Sequence, residues 1–284
     1  MTAVPDVNGR GGVAIDRSDA SADGRSSVKS ARRVLGILEL LGANADGLKF
    51  PQIADLLGLP KSSLHALLAT MQGMGWISIE ESTRTYRIGM RAWEVGQGYN
   101  YARDLARIAD EHLHAARTEL NETVQLGILD GTEVLYIARV DSNRPFRLVS
   151  RAGMRLPAWA TGLGKVLLAD LPPAELRRRM ADVTFQAFTD KTVRDIDQLE
   201  RILAQIRADG IGLDDGEHVA MVYCVAAPVR DKTGAVVAAM SCSLPEPPQR
   251  RPGGYPHFAE VMARHARGLS RSLGWDGATD SQRP

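Results

Sequence analysis

Apolar positions step at helical spacing through the first part of the chain and then change to strand-like runs from Asn121 onward. Val34, Leu35, Ile37, Leu38 and Leu41 form one stripe in Val28–Leu41, with Ser30, Arg32 and Arg33 left outside near its start. After a turn at Asn44–Gly47, Phe50–Leu57 places Ile53, Leu56 and Leu57 on one face. Gly58-Leu59-Pro60 breaks that helix, because Gly favours a left-handed cap and Pro cannot continue the ladder. Leu64, Leu67, Leu68 and Met71 then make a second apolar stripe whose opposite face carries Lys61, Ser62, Ser63, His65 and Thr70. Two short helices around a three-residue turn, the second polar on its outer face, predict a helix-turn-helix.

The next residues extend that motif. Trp76–Ile79 and Thr85–Ile88 are β-prone runs joined by Glu80–Arg84, a hairpin that would serve as a wing. Arg84 at its tip and Arg87 on its flank could reach a phosphate backbone, with Glu80 and Glu81 unfavourable there. Apolar spacing along Leu105, Ile108, Leu113, Ala116 and Leu120 predicts a connecting helix over 90–120, suited to a lever, a dimer seam or plain packing.

Beyond Asn121, strands over Thr123–Leu129 and Glu133–Val140 meet at Asp130-Gly131, and a short strand is expected over Pro145–Arg151. A loop at Gly153–Pro157, a helix from Thr161 to about Asp170, and helices opening at Pro172-Pro173 and at Asp195 or Asp197 follow. Strands at Ile211–Asp214, Met221–Val229 and Ala235–Leu244 precede a last helix, Tyr255–Leu273. The sum is an α+β protein: an N-terminal winged helix-turn-helix, a connecting helix and a C-terminal domain with an antiparallel sheet. The expected boundaries are an arm over 1–27, the helix-turn-helix unit over 28–89, the linker over 90–120, the second domain over 121–275 and a tail over 276–284.

Composition narrows the class without naming it. At 284 residues with 44% hydrophobic content, the chain can bury two cores, and no apolar run approaches the length of a membrane span. Residues 1–27 are Gly-, Ser-, Asp- and Ala-rich, lack the apolar centre of a signal peptide and read as a disordered arm. With only two cysteines, a reducing cytoplasm is expected. A net charge of +1 does not argue for nucleic acid, and residues 25–94 hold nine Lys and Arg against six acids, so that case rests on layout.

Three pieces of chemistry stand out in the second domain. Thr161 caps a helix whose Gly162 and Gly164 expose backbone N–H groups, an arrangement that favours an anion such as a carboxylate. Trp159 and Val166 rule out a phosphate-binding Walker loop, and Leu167 rules out a dinucleotide fingerprint. If Arg230 pairs with Ala235, Cys224 lies opposite Ser241 with Ser243 on the same face, while Cys242 faces the other way. Two hydroxyls and a thiol there suit a small polar ligand; small residues filling tight space beneath a helix is the other reading. Asp214 and Asp215 supply an acid at the rim or a solvated turn.

Enzymatic alternatives are weaker. Ser26-x-x-Lys29 with Lys232-Thr233-Gly234 matches part of a penicillin-recognising set, but its serine lies at the edge of the arm. His112 and His114 point different ways on a helix, so no metal pair forms. Cys224 as a nucleophile with His218 as base remains the enzymatic rival, although a strand-buried thiol is usually inert. No catalytic residue, metal or cofactor is expected.

Taken together, the winged helix, the connecting helix, RLPAWATGLGKVLLA and GIGLDDGEHVAMVYCVAAPVRDKTGAVVAAMSCSLP resemble an IclR-type transcriptional regulator over about Val28–Leu273. The resemblance implies a GAF-like α/β effector domain, homodimers or dimers of dimers, an inverted-repeat operator in double-stranded DNA, and a small organic or aromatic acid as effector. It implies a pocket lined by Leu148, Gly162, Leu163, Asp214, Cys224, Ser241 and Ser243. The implied function is a metabolic-operon repressor, with an activator of the same type as the alternative. DNA contacts are expected from Ser30, Arg33, Lys61, Ser62, Ser63, His65, Thr70, Arg84 and Arg87. Two departures qualify this. Ala66 stands where such regulators often carry Arg, and Leu163 replaces a usual small residue, implying a narrower or more apolar pocket.

Overall fold

The computed structural model describes residues 28–96, 98, 100–144 and 150–277. The expected arm, the tail beyond residue 277, Leu148 and most of the strand expected over Pro145–Arg151 lie outside them. The chain divides into two compact units between residues 99 and 100.

In the first unit, α1 (Lys29–Ala43) buries its Ile37, Leu40 and Leu41 side in a core shared with β1 (Leu48–Lys49), α2 (Phe50–Leu57) and α3 (Lys61–Gly73). Pro51 opens α2, where the Lys49 N–H donates to the Gln52 side chain at 2.8 Å, and Gly58 closes it in the left-handed region. β2 (Ile77–Glu80) and β3 (Thr85–Ile88) form the expected hairpin, and β1 pairs on the far side of β3. Two apolar residues placed on buried stripes are exposed instead: Leu35 on α1 and Leu56 on α2. Leu40 and Ala54 occupy the inner faces, because each of these helices presents only a narrow strip to so small a core.

The helix expected over 90–120 is two helices, α4 (Met90–Gly96) and α5 (Asn100–Leu120). Gly96 and Gly98 lower helix propensity where the break falls.

The second unit is a six-stranded antiparallel sheet, with helices on both faces, in the order β6-β5-β4-β9-β8-β7. Its strands are β4 (Thr123–Asp130), β5 (Glu133–Val140), β6 (Arg155–Pro157), β7 (Gly212–Asp215), β8 (Tyr223–Arg230) and β9 (Val236–Leu244). β6 lies in the stretch expected to be loop; its three residues were too few to show periodicity. One face, with Val124, Leu126, Val225 and Met240, is covered by α5 and α9 (Gly254–Ser272). The other, with Val134, Tyr136, Ala226 and Ala239, meets α6 (Gly162–Ala169) and α8 (Ile196–Asp209); α7 (Pro173–Met180) packs at the edge of this core. Asp195 caps α8 by accepting from the Gln198 N–H at 2.7 Å. Pro228 is tolerated in β8 because β7 pairs only with Tyr223–Ala226 and leaves the rest of that edge open.

Candidate functional sites

The first candidate is the outer face of α3. Leu64, Leu68 and Met71 anchor the helix in the core. Lys61, Ser62, His65, Ala66 and Thr70 are exposed, and Ser63 is half-buried. The His65 ring meets Phe50 edge-on at 6.3 Å between centroids, which steadies it without covering it. The Thr70 hydroxyl donates to the Ala66 carbonyl at 2.9 Å. On the wing, Arg84 adopts a positive φ of 55° and donates to Glu81 at 2.9 Å, so the tip arginine is held by the acid beside it. Arg87 is exposed on β3; Ser30 is exposed and Arg33 half-buried on α1.

The second candidate lies where the start of α6 meets the sheet. Thr161 accepts from the Gly164 N–H at 3.1 Å. The first turn therefore leaves the Gly162 and Leu163 N–H groups without helical partners. Gly164 sits so close to the preceding turn that a Cβ there would fall 2.2 Å from the Ala158 carbonyl oxygen. At Gly162 a Cβ would lie 3.4 Å from the Cys224 Cβ and 3.5 Å from the Asp214 nitrogen. That helix start is thus pressed against the β7–β8 pair at Asp214 and Cys224, which are direct partners.

The hairpin register differs from the expected one. Arg230 pairs with Val236, not Ala235, and a bulge at Val229/Arg230 adds a second residue of slip, so Cys224 lies opposite Ser243 and Ser241 opposite Ala226. A slip of two preserves the faces. Cys224, Ser241 and Ser243 all point toward α6, and Cys242 joins the core on the opposite side. A polar chain runs across this face: the Cys224 Sγ and Ser243 Oγ are 3.2 Å apart, and Ser243 donates to the Gln125 Oε1 at 3.2 Å. Ser243 has one proton, so Cys224 is the donor of that pair. The Gln125 amide continues to Ser150.

Three ionisable groups are buried together here. Lys165, 1% exposed, donates to Glu217, and the Glu217 N–H donates to the Asp214 Oδ1 at 2.7 Å. One ammonium serves two buried carboxyls. Desolvation pushes Asp214 up to about 7, partly offset by Lys165. Burial and the Asp214 charge drive the Cys224 thiol well above its ordinary value, and burial raises the Tyr136 phenol. Glu217 Oε2 and Ser241 Oγ are buried with no hydrogen-bond partner among the described residues. Leu163 packs against the Cα of Gly127, its Cδ1 3.3 Å from where a Cβ would stand.

Sequence reasoning missed Lys165, Glu217, Gln125 and Tyr136. Lys165 belongs to the stretch that Trp159 and Val166 exclude as a Walker loop, and nothing in a charge's position along the chain announces that it is buried. The signal for Gln125 was present: a polar residue between Val124 and Leu126 in a strand covered on both faces. For the enzymatic rival the geometry is unfavourable. A thiol with a raised pKa holds its proton, and His218 stacks edge-on against Phe188 at 4.6 Å, its Nδ1 without a partner among the described residues. Among the described residues no cluster of His, Cys, Asp and Glu could hold a metal, and no helix is long and apolar enough to cross a membrane. A surface cleft of about 400 Å³ lies elsewhere, between α7 and α8; Arg177, one of its two arginines, is bonded to Asp197 and Glu200.

A winged helix-turn-helix with its polar helix face free, in one chain with an α/β domain, defines a transcriptional regulator of the helix-turn-helix class. Two family models match, the IclR helix-turn-helix domain over residues 30–79 and the bacterial transcriptional regulator IclR C-terminal domain over residues 97–271. The chain belongs to the IclR family. It is 36% identical to the HTH-type transcriptional regulator XynR of Escherichia coli K12, over 87% of this chain and 98% of that protein. It is 30% identical to the HTH-type transcriptional repressor AllR of Klebsiella pneumoniae, over 88% and 92% of the two chains. An IclR homolog from Microbacterium hydrocarbonoxydans, solved in complex with 4-hydroxybenzoate, superposes with a TM-score of 0.75 at 26% identity, covering 86% and 99% of the two chains.

Proposed function

We propose that the chain represses a metabolic operon and responds to a small organic acid bound at the start of α6. One observation carries the DNA half of this reading: Lys61, Ser62, His65 and Thr70 are exposed on α3 while Leu64, Leu68 and Met71 fix the helix beneath them. In the major groove these side chains, with Ser63, read base edges; Ser30, Arg33, Arg84 and Arg87 bind phosphates. Ala66 supplies no guanidinium, so readout leans on hydroxyls, Lys61 and the His65 ring rather than on an arginine fork to guanine.

The N-terminal unit leaves Val28, Leu35, Met90, Trp93 and Val95 exposed, an apolar set that supports pairing with a second copy. Pairing doubles the reading helix and calls for an inverted-repeat operator. The effector occupies the face of Gly162, Leu163, Asp214, Cys224, Ser241 and Ser243, its carboxylate on the free N–H groups of α6. A ligand of this kind alters DNA affinity only through differential binding to two states, typically ~1–3 kcal/mol of coupling. The relative solved with 4-hydroxybenzoate and the relative named as a repressor favour an acid effector and a repressor.

The test is selection of duplexes from the genomic DNA with the full chain, followed by anisotropy titration on a selected duplex with a panel of acids. The reading predicts that at least one acid shifts DNA affinity 5- to 150-fold, the range of ordinary allosteric couplings. Selection of no duplex above background at low salt would refute it.

A further inference from the structure

Among the described residues, two polar atoms of the buried cluster, Glu217 Oε2 and Ser241 Oγ, have no partner, and they ask for different things. Ser241 is 1% exposed and its hydroxyl can donate or accept. Glu217 is 7% exposed and its Oε2, in a carboxylate, can only accept. Nor can Glu217 swing to find a donor. Its Oε1 takes the Lys165 ammonium, its N–H is held by Asp214, its carbonyl accepts from the Thr192 hydroxyl at 2.6 Å, and the Gly216 carbonyl just before it accepts from the Thr189 hydroxyl at 2.8 Å. The free oxygen is a fixed acceptor inside the protein. Leaving such a group unpaired costs more than any neutral orphan would.

A ligand's carboxylate cannot satisfy it, because two carboxylates repel; that group belongs on the N–H groups of Gly162 and Leu163. An ammonium is disfavoured by the Lys165 Nζ already bound to the same carboxylate. A hydroxyl donates without adding charge. Resting on the effector-site reading above, we infer that the site selects hydroxylated acids: the carboxylate docks at the start of α6 and a hydroxyl elsewhere in the molecule donates to Glu217. Glu217 is thereby a specificity-determining residue, and Lys165 and Asp214 position it.

The experiment uses the full chain and matched acids by calorimetry and thermal shift: 4-hydroxybenzoate against benzoate, D-gluconate against hexanoate, glycolate against acetate. In at least one pair the hydroxylated member should bind about tenfold or more tightly, as expected for a hydrogen bond to a buried charge. Glu217→Gln turns the free acceptor into a donor and should abolish that preference, whereas Ser241→Ala should weaken both members of a pair alike. If Glu217→Gln does not fold, the wild-type pairs decide. Equal affinity within every pair that binds, or a preference that survives Glu217→Gln, would overturn the inference and leave the effector site standing. Failure of every acid to bind would overturn both.

Discussion

Asp214 is the residue at which pH should be felt. It is buried between Lys165, Glu217 and Cys224, and its carboxyl titrates at about 7 instead of near its ordinary value. A carboxyl whose pKa is raised on folding holds its proton more tightly in the folded chain. Stability is then greatest below the unfolded pKa of ~4 and is lost as pH rises toward the folded pKa. Asp214→Asn removes the titration, so its stability should change less than the wild type's between about pH 4 and 7 in denaturant titrations. Parallel profiles would show that Asp214 does not sense pH in the fold. None of this was legible in the sequence, where Asp214 read equally as a rim acid or a solvated turn. Burial of an acid depends on α6 folding over it, and no local pattern records that. Gly162, Ser241 and Ser243 were legible, because a capped helix start and alternation along a strand are local properties.

At the scale of the elements, α6 depends on a close approach. A Cβ at Gly164 would stand 2.2 Å from the Ala158 carbonyl oxygen, and that oxygen is backbone, with little freedom to retreat. Gly164→Ala should cost about 1–3 kcal/mol, read as a lowered midpoint in chemical denaturation. A midpoint unchanged within error would mean that the turn before α6 yields easily. The elements themselves were largely readable, since helix stripes, caps and the Asp130-Gly131 turn are encoded within a few residues. What failed was whatever depends on partners. The β8–β9 register moved by two through a longer turn and a bulge, and a connecting helix read as continuous is broken near Gly96 and Gly98. Leu35 and Leu56 looked like core by period alone, yet both stand exposed among the described residues.

For the whole molecule, net charge was uninformative and layout was decisive. A chain near neutrality binds DNA only if its cations and hydroxyls gather on one surface, and the function proposed above assigns that surface to α3, the wing and the start of α1. The account rests on that surface gripping duplex DNA while a separate site answers to an acid. The most direct measurement is anisotropy titration of the full chain and a Lys61→Ala/His65→Ala variant on a selected duplex and on a scrambled one, with circular dichroism to confirm folding. The account predicts that the variant keeps its fold but loses at least tenfold in affinity for the selected duplex, so that its preference over the scrambled one shrinks. A folded variant that binds the selected duplex as tightly as the wild type would contradict it.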